Sequence, residues 1–373
     1  MGHIRRNDFF QRTNLAKIVR THPLKTTPAV IMNRTQNPLS GWIVERAAIH
    51  TIGQDLQRPE CILAERDGTL WSADARGGVM CIRPDGTQKL VVQEGHRGVD
   101  VNNPTSLILG NNTLPNGVAI NRAGDFLIAN FGTDALERMN RKGESQVLYT
   151  QIDGQPLGKV NFVLRDSRDR LWLTITTRAK PWTRSINEKL PDGYVALIDE
   201  KGIRIAADGF IGTNEVRLDA NEEWLYVVES NARRISRLRV QPDGSLTNRE
   251  VYGPQRLRGI PDGFAFDTIG NLWMTYVISD RIAVITPEGD EQIVFDDGDA
   301  ARVSAFDEHF FAGTVTPEVM MGCGGTVAPW TASVTFGGAD LQTLYIGSLR
   351  GTTIPYVRAP APGLPMVHWH ERY

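Results

Sequence analysis

Pro261-Asp262-Gly263-Phe264-Ala265-Phe266-Asp267-Thr268-Ile269-Gly270-Asn271-Leu272-Trp273 is the stretch whose reading decides the fold. A turn-forming tripeptide with a lone carboxylate leads into an apolar run, a Gly-containing turn, and a second apolar run that ends in an aromatic. This is the pattern of a β-hairpin with an acid where its first strand begins. The layout recurs along the chain. Pro59-Glu60-Cys61-Ile62-Leu63-Ala64 leads through Asp67-Gly68 to Leu70-Trp71, and Pro115-Asn116-Gly117-Val118-Ala119-Ile120 leads through Ala123-Gly124 to Phe126-Leu127-Ile128. Val160-Asn161-Phe162-Val163-Leu164 reaches Leu171-Trp172-Leu173, and Thr213-Asn214-Glu215-Val216-Arg217-Leu218 reaches Trp224-Leu225-Tyr226. A sixth copy, Thr331-Ala332-Ser333-Val334-Thr335-Phe336, reaches Leu344-Tyr345-Ile346 with alanine at the polar position.

Self-similarity at this period, built from short strands, predicts β-propeller blades of about four strands each. Turns at Pro84-Asp85-Gly86, Lys142-Gly143, Lys201-Gly202, Pro242-Asp243-Gly244 and Glu288-Gly289 supply the outer hairpins. The expected fold is therefore all-β, a six-bladed β-propeller over 46–358 with a metal site in its central channel. An N-terminal extension (1–45) precedes it and a tail (359–373) follows. Ile49-His50-Thr51-Ile52 is the expected closing strand against the last blade, since an open ring would leave a bare edge. Blade symmetry brings equivalent positions to one axis, so Glu60, Asn116, Asn161, Asn214 and Asp262 should meet at the channel mouth. They offer only oxygen, which suits a hard divalent cation.

At these residues the chain resembles the senescence-marker-protein/gluconolactonase/luciferin-regenerating-enzyme family, from about Glu60 to the tail. The resemblance implies a six-bladed propeller with one divalent cation, Ca²⁺ first, with Mg²⁺, Mn²⁺, Zn²⁺ or Fe²⁺ as alternatives. It implies Glu60, Asn161, Asn214 and Asp262 as metal ligands and Asn116 as a substrate-contacting or supporting residue. The implied activity is metal-dependent hydrolysis of a lactone. Two departures bear on the substrate. Sugar lactonases of the family follow the blade-three asparagine with an acid and place an arginine two residues before it; here Phe162 and Lys159 stand there. Asn214 is followed by Glu215 where glycine is usual. A less hydroxylated lactone or ester therefore stands beside a sugar lactone as the expected substrate, with Phe162 drying the pocket.

Among the carboxylates, Asp262 and then Glu60 are the expected bases that take a proton from the attacking water. Two carboxylates on one cation are poor bases, which leaves water activated by the cation as the alternative. Asn116, Lys159 and Arg178 are expected to orient substrate. The second strands end at Asp74, Asn130, Thr176 to Arg178, Glu229-Ser230 and Tyr276, on the same side of each hairpin as the anchors. Pro-Asp-Gly is turn chemistry in its own right; of the copies at residues 84, 191 and 242, the first and third follow short apolar strands and sit between a blade's outer strands, where a turn is expected. Only the copy at Asp262 precedes the long apolar run. The alternatives are a phosphotriesterase-type hydrolase and a metal-stabilised binding propeller without turnover.

The 373 residues carry a formal net charge of -2, with 41% hydrophobic and 23% charged residues. That balance favours neither nucleic acid nor an anionic membrane as partner. Cys61, Cys81 and Cys323 have no metal-binding spacing, and their odd number fits a reducing compartment. With no apolar leader or spanning run, a cytoplasmic location is expected. Arg5, Arg6, Arg12, Lys17, Arg20 and Lys25 make the N-terminal arm basic, a candidate homo-oligomer contact. His368-Trp369-His370 is read as a packed tail, and the long connection at 300–330 as a cap over the channel. Without a Gly-x-Ser-x-Gly elbow, a serine hydrolase has no support.

Overall fold

A computed structural model describes residues 37–110 and 112–373. The basic arm, and the oligomer contact expected of it, lie outside the described residues. Six four-stranded antiparallel sheets form the blades of the propeller. Blade one is Ile62–Ala64, Leu70–Asp74, Gly78–Ile82 and Gln88–Val92; blade two is Pro115–Ile120, Phe126–Asn130, Ala135–Met139 and Ser145–Tyr149. Blade three is Val160–Arg165, Leu171–Ile175, Gly193–Asp199 and Gly202–Phe210; blade four is Thr213–Leu218, Trp224–Glu229, Arg234–Val240 and Leu246–Tyr252. Blade five is Pro261–Phe266, Leu272–Tyr276, Arg281–Ile285 and Glu291–Asp296. Blade six joins Thr331–Gly337, Thr343–Ser348 and Ile354–Arg358 to the early strand His50–Ile52. That strand pairs antiparallel with Ile354–Arg358, Ile52 opposite Ile354, and closes the ring as the sequence predicts.

Burial falls from the axis outward. The innermost strands of blades two and three are buried along their whole length, whereas the outermost strand Leu246–Tyr252 is exposed through its middle and half-buried at its ends. Inner strands pack on both faces, so they read as continuous apolar runs. Aromatic residues of the second strands fill the gaps between blades: Trp71 meets Phe126 at 4.7 Å between ring centroids, and Trp273 meets Phe336 at 5.8 Å. A turn carboxylate six residues upstream accepts the indole N–H in alternate blades. Glu65 does so for Trp71 (3.1 Å), Asp166 for Trp172 (3.1 Å) and Asp267 for Trp273 (3.0 Å). Each pair fixes a hairpin turn to the core and satisfies a buried donor.

The compact unit runs from Pro38 to Tyr373 and so takes in short segments flanking the blades. Leu39 and Val44 are buried against blades five and six, and the Val44 N–H donates to the Val294 carbonyl at 2.7 Å. At the other end, the tail crosses the far ends of the inner strands. Leu364 N–H donates to Phe266 O, His368 Nε2 lies 3.0 Å from Ala64 O, and Arg165 pairs with Glu371. Trp369 is buried in blade one's core. The tail therefore packs, as expected, and covers the channel end opposite the anchors.

Helices interrupt the all-β pattern only in connections. Among the described residues the α-helices are α1 (Pro104–Leu109), α2 (Ala300–Ala312) and α3 (Pro317–Met321), and 3₁₀ turns lie at Arg46–Ala48, Trp182–Ser185 and Val367–His370. Asp299 caps α2 by accepting from the Ala301 and Arg302 N–H groups, and Gly313 at φ 72° ends it. Phe306 and Phe310, one turn apart, supply its buried face. Among the described residues no helix is long and apolar enough to cross a membrane. The three cysteines are buried and free.

Candidate active site

All the inner strands start at the same end of the channel, and five of the six are bulged at their start. The pairing register slips between Pro115 and Gly117, Val160 and Phe162, Thr213 and Val216, Pro261 and Phe264, and Thr331 and Ser333. The skipped residues include Asn116, Asn161, Asn214, Asp262 and Ala332, the anchors of the sequence repeat. A bulge leaves one residue unpaired and re-aims it, here out of the sheet and into the channel. Glu60 immediately precedes the first blade's inner strand, and its own carbonyl accepts from the Ser333 hydroxyl of blade six.

Glu60, Asn116, Asn161, Asn214 and Asp262 all line one cavity of about 130 Å³. The five anchors predicted to converge do so. Asp262 Oδ1 accepts from Asn214 Nδ2 at 2.6 Å, and the same amide donates to Ser230 Oγ at 3.0 Å. Asn116 Nδ2 donates across blades to the Asn161 carbonyl at 3.1 Å. Three oxygens of this floor are buried without an aligned hydrogen bond: Glu60 Oε2, Asn161 Oδ1 and Asn214 Oδ1. Buried acceptors are rarely left this way, so the trio asks for a ligand. Oxygen acceptors from three blades, with the Asp262 carboxylate beside them, fit a hard divalent cation. The fit rests on amides as much as on acids. Among the described residues, no three Asp, Glu, His or Cys side chains are grouped so as to hold a metal by themselves.

Arg58 is the floor residue that sequence reasoning missed. Its guanidinium Nη2 donates to Asn116 Oδ1 at 2.7 Å, and Nη1 lies 2.5 Å from Glu60 Oε2. That approach is an ion pair without hydrogen-bond alignment, which is why the oxygen also counts as unsatisfied. Arg58 is buried and left-handed at φ 58°, a backbone state that a non-glycine residue adopts only under constraint. One signal was available: Arg58 stands two residues before its anchor, as Lys159 does before Asn161.

Burial is the first cause of the carboxylates' shifted proton affinities. It raises Glu60 against the pull of Arg58. Asp262 rises well above the usual carboxylate range through burial and then through the negative charges of Glu60 and Glu215. Glu215, one layer below the anchors, is pushed up to about 7 by burial, opposed by the Arg217 guanidinium 2.9 Å away.

Three expected substrate contacts are not on the cavity. Phe162 is 2% exposed, packed in the interblade core with the Arg217 guanidinium 4.5 Å from its ring centroid. It follows the bulged anchor, and the strand turns its ring away from the mouth; its expected role against substrate is corrected accordingly. Lys159 donates to Phe131 O at 2.8 Å and pairs with Asp134 at 2.7 Å, so it braces the wall from behind. Arg178 is exposed and stacked 4.6 Å over Tyr194. Of the strand-end candidates, Thr176 and Ser230 reach the cavity. Asp74 pairs instead with Arg76, Asn130 with Glu137, Glu229 with Arg234 and Arg249, and Tyr276 with Glu291. Two of the look-alikes behave as turns, Asp85 and Asp243 capping the backbone at Thr87 and Ser245, whereas Asp192 accepts from the Thr177 hydroxyl and the Arg178 N–H.

The upper walls are apolar. Ile108 of α1, Phe131, Trp182, Ile278, Phe306 of α2 and Met320 of α3 face the same cavity. The connection expected to cap the channel thus contributes wall residues, and it does so through two helices that the strand pattern did not indicate.

Residues 59–306 match the family model described as SMP-30/Gluconolactonase/LRE-like region. The chain belongs to that family. An uncharacterized protein of Sulfolobus acidocaldarius is 24% identical over 209 residues, which cover 55% of this chain and 62% of that one. Regucalcin of Xenopus laevis is 23% identical over 233 residues, 61% of this chain and 71% of its own. The match thus spans about three fifths of the first relative's length and somewhat more of the second's. Among solved structures, a gluconolactonase of Xanthomonas campestris superposes with a TM-score of 0.59 at 19% identity, covering 85% of this chain and 94% of its own. A calcium-binding protein, regucalcin, of Agrobacterium tumefaciens gives 0.59 at 12% identity, covering 85% and 97%. At such identities the likeness carries the six-bladed fold.

Proposed function

We propose that this chain opens a lactone by hydrolysis, with one divalent cation held by Glu60, Asn161, Asn214 and Asp262. The observation that carries the reading is the trio of buried, unsatisfied oxygens on the pocket floor beside a second carboxylate. Family membership supports the reaction class, and the calcium-binding description of a structural neighbour makes Ca²⁺ the first cation to test.

When bound, the cation would act as a Lewis acid on the carbonyl oxygen of the substrate. The chain's own groups do the rest. Arg58 keeps a permanent positive charge at the floor, where charge develops on the acyl oxygen, and holds the Asn116 amide in place. Asn214 fixes one oxygen of Asp262, so the other is the expected acceptor for the proton of the attacking water. Water adds to the acyl carbon, the ring C–O bond breaks, and the proton taken up by Asp262 passes to the departing alkoxide. Glu60 is the alternative base, hindered by its partner Arg58.

The test is dialysis against a chelator, followed by a lactone and phosphotriester panel read as acid release in weak buffer. Lactone opening should vanish and return on addition of Ca²⁺ or another divalent cation, with the melting temperature moving in step. A chelated protein that keeps its rate and its melting temperature would refute the reading. Phosphotriester cleavage without lactone opening, or cation binding with no turnover, would assign the pocket to the two alternative functions.

A further inference from the structure

We infer that the pocket selects a compact, hydroxyl-poor lactone or ester and rejects polyhydroxylated sugar lactones. The inference rests on the lactone-hydrolase reading of the same pocket and concerns which substrates it accepts. Its basis is the division of the cavity into a polar floor and largely apolar walls, whose indole and hydroxyl donors are already engaged. Above the anchors, the wall is formed by aliphatic and aromatic side chains of α1, α2, α3 and the Trp182–Ser185 3₁₀ turn.

The walls do contain polar atoms, but their donors are already engaged. Trp182 Nε1 donates to Ile108 O at 2.8 Å, and Trp330 Nε1 to Cys323 O at 3.1 Å. The Thr176 hydroxyl donates to Thr213 O at 2.8 Å, the Ser230 hydroxyl to Pro261 O at 2.6 Å, and Asn231 Nδ2 to Ser185 O at 2.8 Å. Against walls that are mostly aliphatic and aromatic, a sugar ring would find partners for only a few of its hydroxyls, and an unpaired buried hydroxyl is costly. A ring without them loses nothing and gains apolar contact. Size agrees: about 130 Å³ is close to the roughly 150 Å³ cavity that accepts a benzene ring. A six-membered ring fits, its carbonyl on the floor and a short alkyl arm along α3.

The wall is also braced against rearrangement. Phe131 packs edge-on against Trp182 with centroids 5.2 Å apart, beside Ala75, Val99 and Leu114, and the Lys159 ammonium lies 4.7 Å from its ring centroid. A site held this way cannot readily swing a charged group inward to meet a polyol.

The experiment compares two non-hydrolysable probes by calorimetry on the full chain: a δ-lactam with a short alkyl arm, and the fully hydroxylated δ-lactam of the same ring. The alkyl lactam should bind tighter by a factor on the order of a hundred. Met320→Gln, at a half-buried wall position, should cut that ratio by about tenfold without unfolding the protein. Equal or tighter binding of the hydroxylated lactam, binding of neither, or an unchanged ratio in Met320→Gln would each overturn the inference. The corresponding lactones separate the two levels. An alkyl lactam that binds while its lactone stays closed supports the pocket preference and refutes the hydrolase; ring opening with a polyol preference does the reverse.

Discussion

Asp262→Asn tests the proposed metal shell separately from the turn that carries it. The substitution keeps the side chain's size and one oxygen but removes one of the two formal charges, Glu60 and Asp262, offered to the cation. Ligand charge count tunes affinity in oxygen sites, so the dissociation constant should rise by about tenfold or more. With free cation at a hundred times the wild-type constant, binding stabilises the native state by about 2.7 kcal/mol; a tenfold weaker site keeps only about 1.4 kcal/mol. The cation-induced rise in melting temperature should therefore fall by about half. Turnover should drop by a factor on the order of a hundred, as for a lost general base. The control is Asp243→Asn, in an exposed turn where the carboxylate accepts from the Ser245 N–H at 3.0 Å and hydroxyl at 2.7 Å. Calorimetry across a cation titration, with rates on the same samples, provides both readouts. If the two variants behave alike, Asp262 is a turn residue and the site assignment fails.

Arg58→Gln leaves Glu60 buried without its cationic partner, so the chelated protein should lose about 3 kcal/mol or more. Added divalent cation should restore part of that loss in a melting scan; a variant indifferent to cation would contradict the shared site. Ile52→Pro removes a ladder donor from the strand that closes blade six. Chemical denaturation should report a loss of about 2 kcal/mol or more, whereas an unchanged midpoint would mean that the ring does not depend on this closure. His368, buried where the tail packs on blade one, has its pKa lowered from 6.5 to about 4 by burial. Below pH 6.5 the unfolded chain takes up a proton that the folded one refuses. Stability present above 6.5 should therefore fall by up to about 3 kcal/mol as the pH drops to 4. His368→Gln should flatten that slope in denaturation curves at pH 7 and pH 4.5.

Much of the architecture was legible because a propeller repeats one hairpin. The anchor-run-turn-aromatic layout recurs in all six blades, and even the closing strand at His50–Ile52 follows from the need to cover an edge. The convergence of Glu60, Asn116, Asn161, Asn214 and Asp262 was legible for the same reason: symmetry converts a sequence position into a place. Side-chain direction was less legible. Phe162, Lys159 and Arg178 lie within two or three residues of pocket-lining positions, yet they face the core, the back of a wall and solvent. A bulge breaks the two-residue alternation at that very point, so the pleat cannot be counted through it. The helices α1, α2 and α3 lie in connections outside the repeat, and their part in the walls depends on tertiary packing.

Two departures from the family's sugar-lactonase pattern are related by where the structure puts them. The acid expected after Asn161 is absent, but Glu215 after Asn214 places a carboxylate in the layer just below the anchors. The cation expected before Asn161 is turned away as Lys159, but Arg58 before Glu60 brings a guanidinium to the floor. Glu215 and Phe162, the residues that follow Asn214 and Asn161, each need room on the neighbouring blade. A Cβ on Gly263 would collide with the Glu215 carboxylate, and one on Gly117 would come within 2.6 Å of the Phe162 ring. Bulk at one blade is thus matched by glycine at the next, and the channel layer stays filled. Six equivalent strands around one axis bring one arginine, a pair of anchor carboxylates and three amides to this floor. Arg58 sits against Glu60 and Asn116, across from Asn214 and Asp262 on blades four and five. The carbonyl of a bound ring would therefore lie between Arg58 and Asp262, with its apolar edge turned up toward Phe131 and Met320.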